Sequence, residues 1–137
     1  MKNLSIKDRI IRSVALRKGE VVLRADFERM GSPSQISRAL KGVVSAGKLV
    51  RVGYGVYAKA QPSVLSGKPI ARQPLEAIAW EALQRLDVEV ALGQAQQDYA
   101  AGNTTQMPMR ATFNTGRRRI SRQLVVGNRS VSYENNY

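Results

Sequence analysis

Residues 32–47 carry a helix with both ends written into the sequence. Ser32 has the side chain of an N-cap, Pro33 suits the first helical position, and Gln35 stands where it can reach back and close a capping box. Beyond them Ile36, Ala39, Leu40, Val43 and Val44 recur at helical spacing along one side until Gly47 supplies a stop. A stripe of this kind must be covered, so whatever the chain folds into has to pack other elements against that side.

The preceding residues supply the cover. Ser5 and Asp8 have capping-box spacing, and Ile6, Ile10, Ile11 and Val14 continue a first helix toward a stop at Gly19. Val21, Val22 and Leu23 read as a short strand. Residues 25–30 read as a brief second helix with Phe27 and Met30 on one face, closed by Gly31 directly before the Ser32 cap. After the third helix, residues 48–52 and 56–58 are strand-like, joined through Gly53, Tyr54 and Gly55 as a hairpin. Helix, strand, helix, helix, hairpin is the order of a winged helix-turn-helix, and residues 1–60 are expected to form one.

That order gives the outward side of the third helix a use. Ser34, Gln35, Ser37, Arg38 and Lys41 fall away from the apolar stripe, and these residue types suit base edges and phosphates in a major groove. Taken alone they would also suit a solvated surface. The hairpin places Lys48, Arg51 and Tyr54 for contact with the nucleic-acid backbone. Tyr57 alternates with Val56 and fits either the core or that contact surface.

Charge points to the same partner. The 137 residues hold 22 Lys and Arg against 10 Asp and Glu, a formal charge of +12. Residues 1–60 contain 13 of the basic and 4 of the acidic side chains, so the N-terminal half carries most of the field that a polyanion would meet.

The second half has a different texture. Residues 61–73 include Pro62, Ser63, Ser66, Gly67 and Pro69, a composition that reads as a linker. Pro74 then opens a helix whose Leu75, Ile78, Ala79, Ala82, Leu83 and Leu86 form one stripe; Trp80, at its edge, suits packing or an interface anchor. Residues 109–114, 120–126 and 130–133 run like strands and are expected to form an antiparallel meander against that helix. The overall expectation is α+β, with a small helix-plus-antiparallel-strand domain at 74–137. Arg117, Arg118 and Arg119 with Arg122 nearby form either a second phosphate-binding point or a solvated turn.

At this level the chain resembles a known family. The pattern through Asp26, Phe27, Gly31, Ser32, Ala39, Leu40, Gly47, Leu49, Gly55, Val56 and Tyr57 is similar to AbiEi-type antitoxins. The later run Asn103, Thr104, Thr105, Gln106, Met107, Pro108, then Phe113, Asn114, Thr115 and Gly116, resembles the same family's second domain. The resemblance implies an antitoxin of a type IV toxin-antitoxin, or abortive-infection, system that represses its own operon by binding promoter repeats in double-stranded DNA. It also implies a nucleotidyltransferase toxin as functional partner, countered without a stable complex, with the C-terminal domain contributing. The resemblance leads one to expect a longer C-terminal region than the one ending at Tyr137.

Other classes fit less well. The sequence has no His and no Cys, which removes the usual triads, zinc sites, thiol nucleophiles and disulfides, and its carboxylates are not arranged in pairs. No glycine motif precedes a helix in the manner of a phosphate cradle, so neither catalysis nor a cofactor is expected. No apolar run has the length of a membrane span, and the N-terminus lacks a secretory pattern; a cytoplasmic protein is expected. An RNA-binding or purely protein-interacting role through the basic surface is the alternative reading, and a homodimer would match inverted repeats.

Overall fold

A computed structural model describes residues 4–88, 91–93, 101–102, 111–116 and 120–134. The chain is α+β and divides into two compact units, Met1–Gln73 and Pro74–Tyr137.

In the first unit, α1 (Ile6–Leu16) begins at Ser5, whose hydroxyl accepts from the Asp8 N–H at 3.1 Å. It ends three residues before the expected stop at Gly19, because Arg17 turns to extended backbone. Lys59, buried on a neighbouring strand, donates its ammonium to the Arg17 carbonyl, placing a cation at the helix C-terminus where the unpaired carbonyls concentrate negative charge. The Arg17 guanidinium lies 5.7 Å from the centre of the Phe27 ring and 3.7 Å from the Asp26 carboxylate.

Strand β1 (Val21–Leu23) leads into a 3-10 helix, Arg24–Met30, where a brief second helix over residues 25–30 was expected. The Asp26 carboxylate accepts from the Leu23 N–H at 2.8 Å and secures its start. Then α2 (Pro33–Ser45) follows the anticipated boundaries closely. Ile10, Val14, Val22, Phe27, Ile36, Ala39, Leu40, Val43 and Leu49 form one buried cluster, with Ile6, Ile11, Met30, Val44 and Tyr57 packed at its margin. The stripe on α2 is therefore covered by α1, the 3-10 helix and the sheet.

Strands β2 (Leu49–Gly53) and β3 (Val56–Pro62) form an antiparallel hairpin whose register shifts between Arg51 and Gly53, a bulge next to the tip. β1 pairs with the other edge of β3, Val22 opposite Tyr57. The stretch expected to be a linker instead folds back as β4 (Pro69–Ala71), with Ala60 opposite Ala71 and Pro62 opposite Pro69. Lys59 explains how two strands share one edge: its N–H donates to the Glu20 carbonyl and its carbonyl accepts from Arg72 N–H. Consecutive groups of one residue face the same edge of a strand, so β4 takes over where β1 stops. An Arg72–Glu20 ion pair at 3.2 Å spans the junction.

In the second unit, α3 (Leu75–Arg85) buries Leu75, Ile78, Ala79, Ala82 and Leu83 as its periodicity predicts. Trp80 is at the edge, with its ring centre 6.2 Å from that of Phe113. The strands are β5 (Ala91–Leu92), β6 (Ala111–Asn114), β7 (Val125–Val126) and β8 (Arg129–Glu134), in the order β5-β6-β8-β7. This corrects the expected antiparallel meander. β6 and β8 run parallel, Ala111 opposite Val131 and Phe113 opposite Tyr133, because β7 lies beyond β8 and the chain hairpins back between its predecessors. Within the expected strand at 120–126 only Val125 and Val126 pair; Leu124 is fully buried in the core, and its carbonyl accepts from Val131 N–H.

A polar link crosses from helix to sheet here. Arg129 donates through both terminal nitrogens to the two carboxylate oxygens of Glu76, a two-pronged pair. Partial burial pushes the Glu76 carboxyl up, but the bonds and charge of Arg129 outweigh it and hold the group below its ordinary value of 4.5. Burial also pushes the Tyr133 phenol up, and its hydroxyl donates to the Arg122 carbonyl at 2.7 Å.

Two outcomes follow from this packing. Replacing Phe27 by Ala should lower unfolding free energy by about 3–5 kcal/mol, read from urea midpoints, because the ring is completely buried. For Glu76, a lowered folded value means that its contribution is fully present above the unfolded glutamate value and is lost as pH falls through the folded one. The urea midpoint followed by fluorescence of Trp80 should therefore drop below about pH 4.5. Glu76→Gln should lower the midpoint at pH 7 and flatten that acid limb.

Candidate nucleic-acid interface

The junction between the 3-10 helix and α2 determines which side chains leave the surface. Gly31 sits in this turn with extended backbone, and a Cβ there would come within 2.7 Å of Gln35 Oε1 and 2.8 Å of Ile6 Cδ1. Its lack of a side chain leaves room for the cap. Ser32 Oγ accepts from Gln35 N–H at 3.3 Å, and Gln35 Oε1 accepts from Ser32 N–H at 2.8 Å. The box anticipated from the sequence is thus closed in both directions.

Closure has a chemical consequence for Gln35. Pairing with adenine uses the amide oxygen and nitrogen together, and here the oxygen is already committed to the helix start. Ser34, Ser37, Arg38 and Lys41 are exposed along the remaining outward side of α2. The 13 residues of this helix include no acid, so the side presents only hydroxyls and cations. Ser34 lies with its hydroxyl 3.3 Å from that of Ser32.

A groove of about 540 Å³ runs between α2 and the β2–β3 hairpin. It is lined by Ser37, Lys41 and Val44 from the helix and by Arg51, Tyr54, Gly55 and Tyr57 from the hairpin, with Arg24 between them. Arg51 and Tyr57 are direct cross-strand partners, which puts both on one face of the hairpin. Arg51 Nε donates to the Gly53 carbonyl at 3.3 Å. Tyr54 is 81% exposed at the tip, and Gly55 has the positive φ of +67° that the tight reversal requires.

Of the residues anticipated from the sequence, the groove gathers Ser37, Lys41, Arg51 and Tyr54. Ser34, Gln35, Arg38 and Lys48 are exposed but do not line it. Tyr57 meets both of its alternatives, packing against the buried cluster and lining the groove. Arg122 is half-buried and belongs to the second unit, whereas residues 117–119 and 103–108 lie outside the described residues. Arg24 was not anticipated at all. It falls at the joint between β1 and the 3-10 helix, and no periodicity marks it.

Chemically, Lys41 and Arg51 with a hydroxyl and two phenols along an open groove can hold phosphate groups and stack or bond beside them, while Arg24 donates to Ser37 and to the Pro33 carbonyl. Among the described residues no group of three or more potential metal ligands occurs, and no helix is long and apolar enough to cross a membrane.

Residues 5–136 match DUF6088, a family of unknown function, and the chain belongs to that family. No curated protein and no solved structure matches it significantly.

The closed box predicts a specific stability effect. Ser32→Ala should cost about 1 kcal/mol in urea unfolding, while Ser34→Ala, two residues on and exposed, should change it by less than about 0.5 kcal/mol.

Proposed function

We propose that this chain binds double-stranded DNA with sequence preference, using its first unit as a winged helix-turn-helix, and that it represses transcription from the promoter it occupies. The observation that carries the reading is the groove between α2 and the hairpin, where Arg24, Lys41 and Arg51 converge with Ser37 and Tyr54. In this reading α2 enters the major groove with Ser34, Ser37, Arg38 and Lys41 toward the bases and flanking phosphates, and the hairpin follows the backbone through Lys48, Arg51 and Tyr54. Gln35 then contributes through its amide N–H groups, its oxygen being held in the cap.

The charge distribution supports the same assignment. The N-terminal half carries 13 basic and 4 acidic residues, enough for a field that steers association with a polyanion. On the family resemblance, the repressed promoter would be the chain's own, within a toxin-antitoxin operon whose toxin is a nucleotidyltransferase. Such a protein would act in the cytoplasm, and paired half-sites would recruit two copies.

The test compares a duplex from the region upstream of the coding sequence with a scrambled duplex of equal length. Selective binding is expected, with log affinity falling against log salt by about 0.9 for each phosphate neutralised. Lys41→Ala and Arg51→Ala should each weaken both duplexes and reduce that slope by about 1, whereas Arg38→Ala should remove about 1–3 kcal/mol of preference if it reads a base. Equal affinity for both duplexes would reject operator recognition, and stronger binding to single-stranded RNA would favour the alternative role.

A further inference from the structure

We infer that Arg24 is a positioning residue that fixes the spacing between α2 and the hairpin, and that this spacing sets base discrimination; the inference rests on the DNA-binding reading above. Its backbone N–H donates to the Gly55 carbonyl at the hairpin turn, 2.9 Å away. Its side chain reaches the other wall of the groove, Nη1 donating to Ser37 Oγ at 2.9 Å and Nη2 to the Pro33 carbonyl at 2.7 Å. One residue thus ties the turn of the hairpin to the first two turns of α2.

The chemistry separates Arg24 from the other cations of the groove. Planar guanidinium presents its donors in a fixed fork, so bonds to two points on α2 define an orientation as well as a distance. A lysine at this position offers a charge without that geometry. Ser37 accepts from the guanidinium, which leaves the hydroxyl proton to be donated to an acceptor lying in the groove. The Lys41 ammonium makes no hydrogen bond or ion pair among the described residues and is retained for phosphate, while Arg24 directs two of its donors into the protein.

Helix and hairpin meet a duplex at different places, one at base edges and one along the backbone. A change in their separation shifts the base-reading side chains out of register while leaving phosphate contacts available to flexible lysines and arginines. Losing Arg24 therefore removes discrimination before it removes general affinity.

The experiment measures binding of the full chain to the upstream and scrambled duplexes over a salt series, for wild type, Arg24→Ala, Arg24→Lys, Ser37→Ala and the Arg24→Ala/Ser37→Ala double variant. The expected result is a fall of about tenfold or more in the affinity ratio for Arg24→Ala and for Arg24→Lys, with the salt slope unchanged. The double variant should lose less than the sum of the two single changes, because the bond between the two side chains is counted in each of them. Should Arg24→Ala fail to fold by circular dichroism, Arg24→Lys and Ser37→Ala carry the same comparison. Full discrimination in Arg24→Lys overturns the inference, since charge alone would then suffice. A slope reduced by about 0.9 in Arg24→Ala also overturns it, by making Arg24 a direct phosphate contact. Wild-type protein that binds both duplexes equally removes the DNA reading itself, which distinguishes that failure from the other two.

Discussion

The burial of one side of α2 is the constraint on which the first unit depends. Ile36, Leu40 and Val43 are almost wholly removed from solvent against Ile10, Val14, Phe27 and Leu49. Rolling a helix by a single residue turns it through about 100° and would bring Ser37 or Arg38 into that apolar cluster, at a desolvation cost. Packing thereby decides which side chains are offered to a ligand. The outward hydroxyls and cations of α2 are exposed because their aliphatic neighbours cannot be.

Around this core the polar groups act as joints between elements. Lys59 meets the end of α1, Arg72 meets Glu20 where β1 gives way to β4, and Arg24 meets both the hairpin and α2. Each link connects residues far apart in sequence, so each narrows the arrangements that hydrophobic contact alone would permit. The second unit uses the same device in the Arg129–Glu76 pair, which ties α3 to β8. Half-exposed pairs of this sort contribute modestly to stability and more to the relative placement of what they join.

The parts of the fold that local chemistry governs were legible in the sequence. Ser32, Pro33 and Gln35 announced the start of α2, Ser5 announced α1, and the period of Leu75, Ile78, Ala82 and Leu83 announced α3. What escaped depends on distant partners. Pro62, Ser63, Gly67 and Pro69 have the composition of a linker, yet the edge of β3 left open by β1 is enough to order residues 69–71 as a strand. The parallel pairing of β6 with β8 follows from where β7 is laid down, which no alternation of side chains encodes. At the candidate interface, helix periodicity identified Ser37 and Lys41, and turn residues identified Tyr54. Arg24 stayed hidden because its role arises only when the hairpin and α2 are brought to either side of it.

The position of β8 also bears on the order in which the molecule can assemble. The strands of the first unit are complete once Ala71 has been made. In the second unit an interior strand of the sheet, β8, is the last of those described, so β6 and β7 lack a common neighbour until residues 129–134 emerge. On a ribosome, the N-terminal unit can therefore close while its successor still holds unpaired edges, and those edges are the part of a nascent chain most in need of shelter.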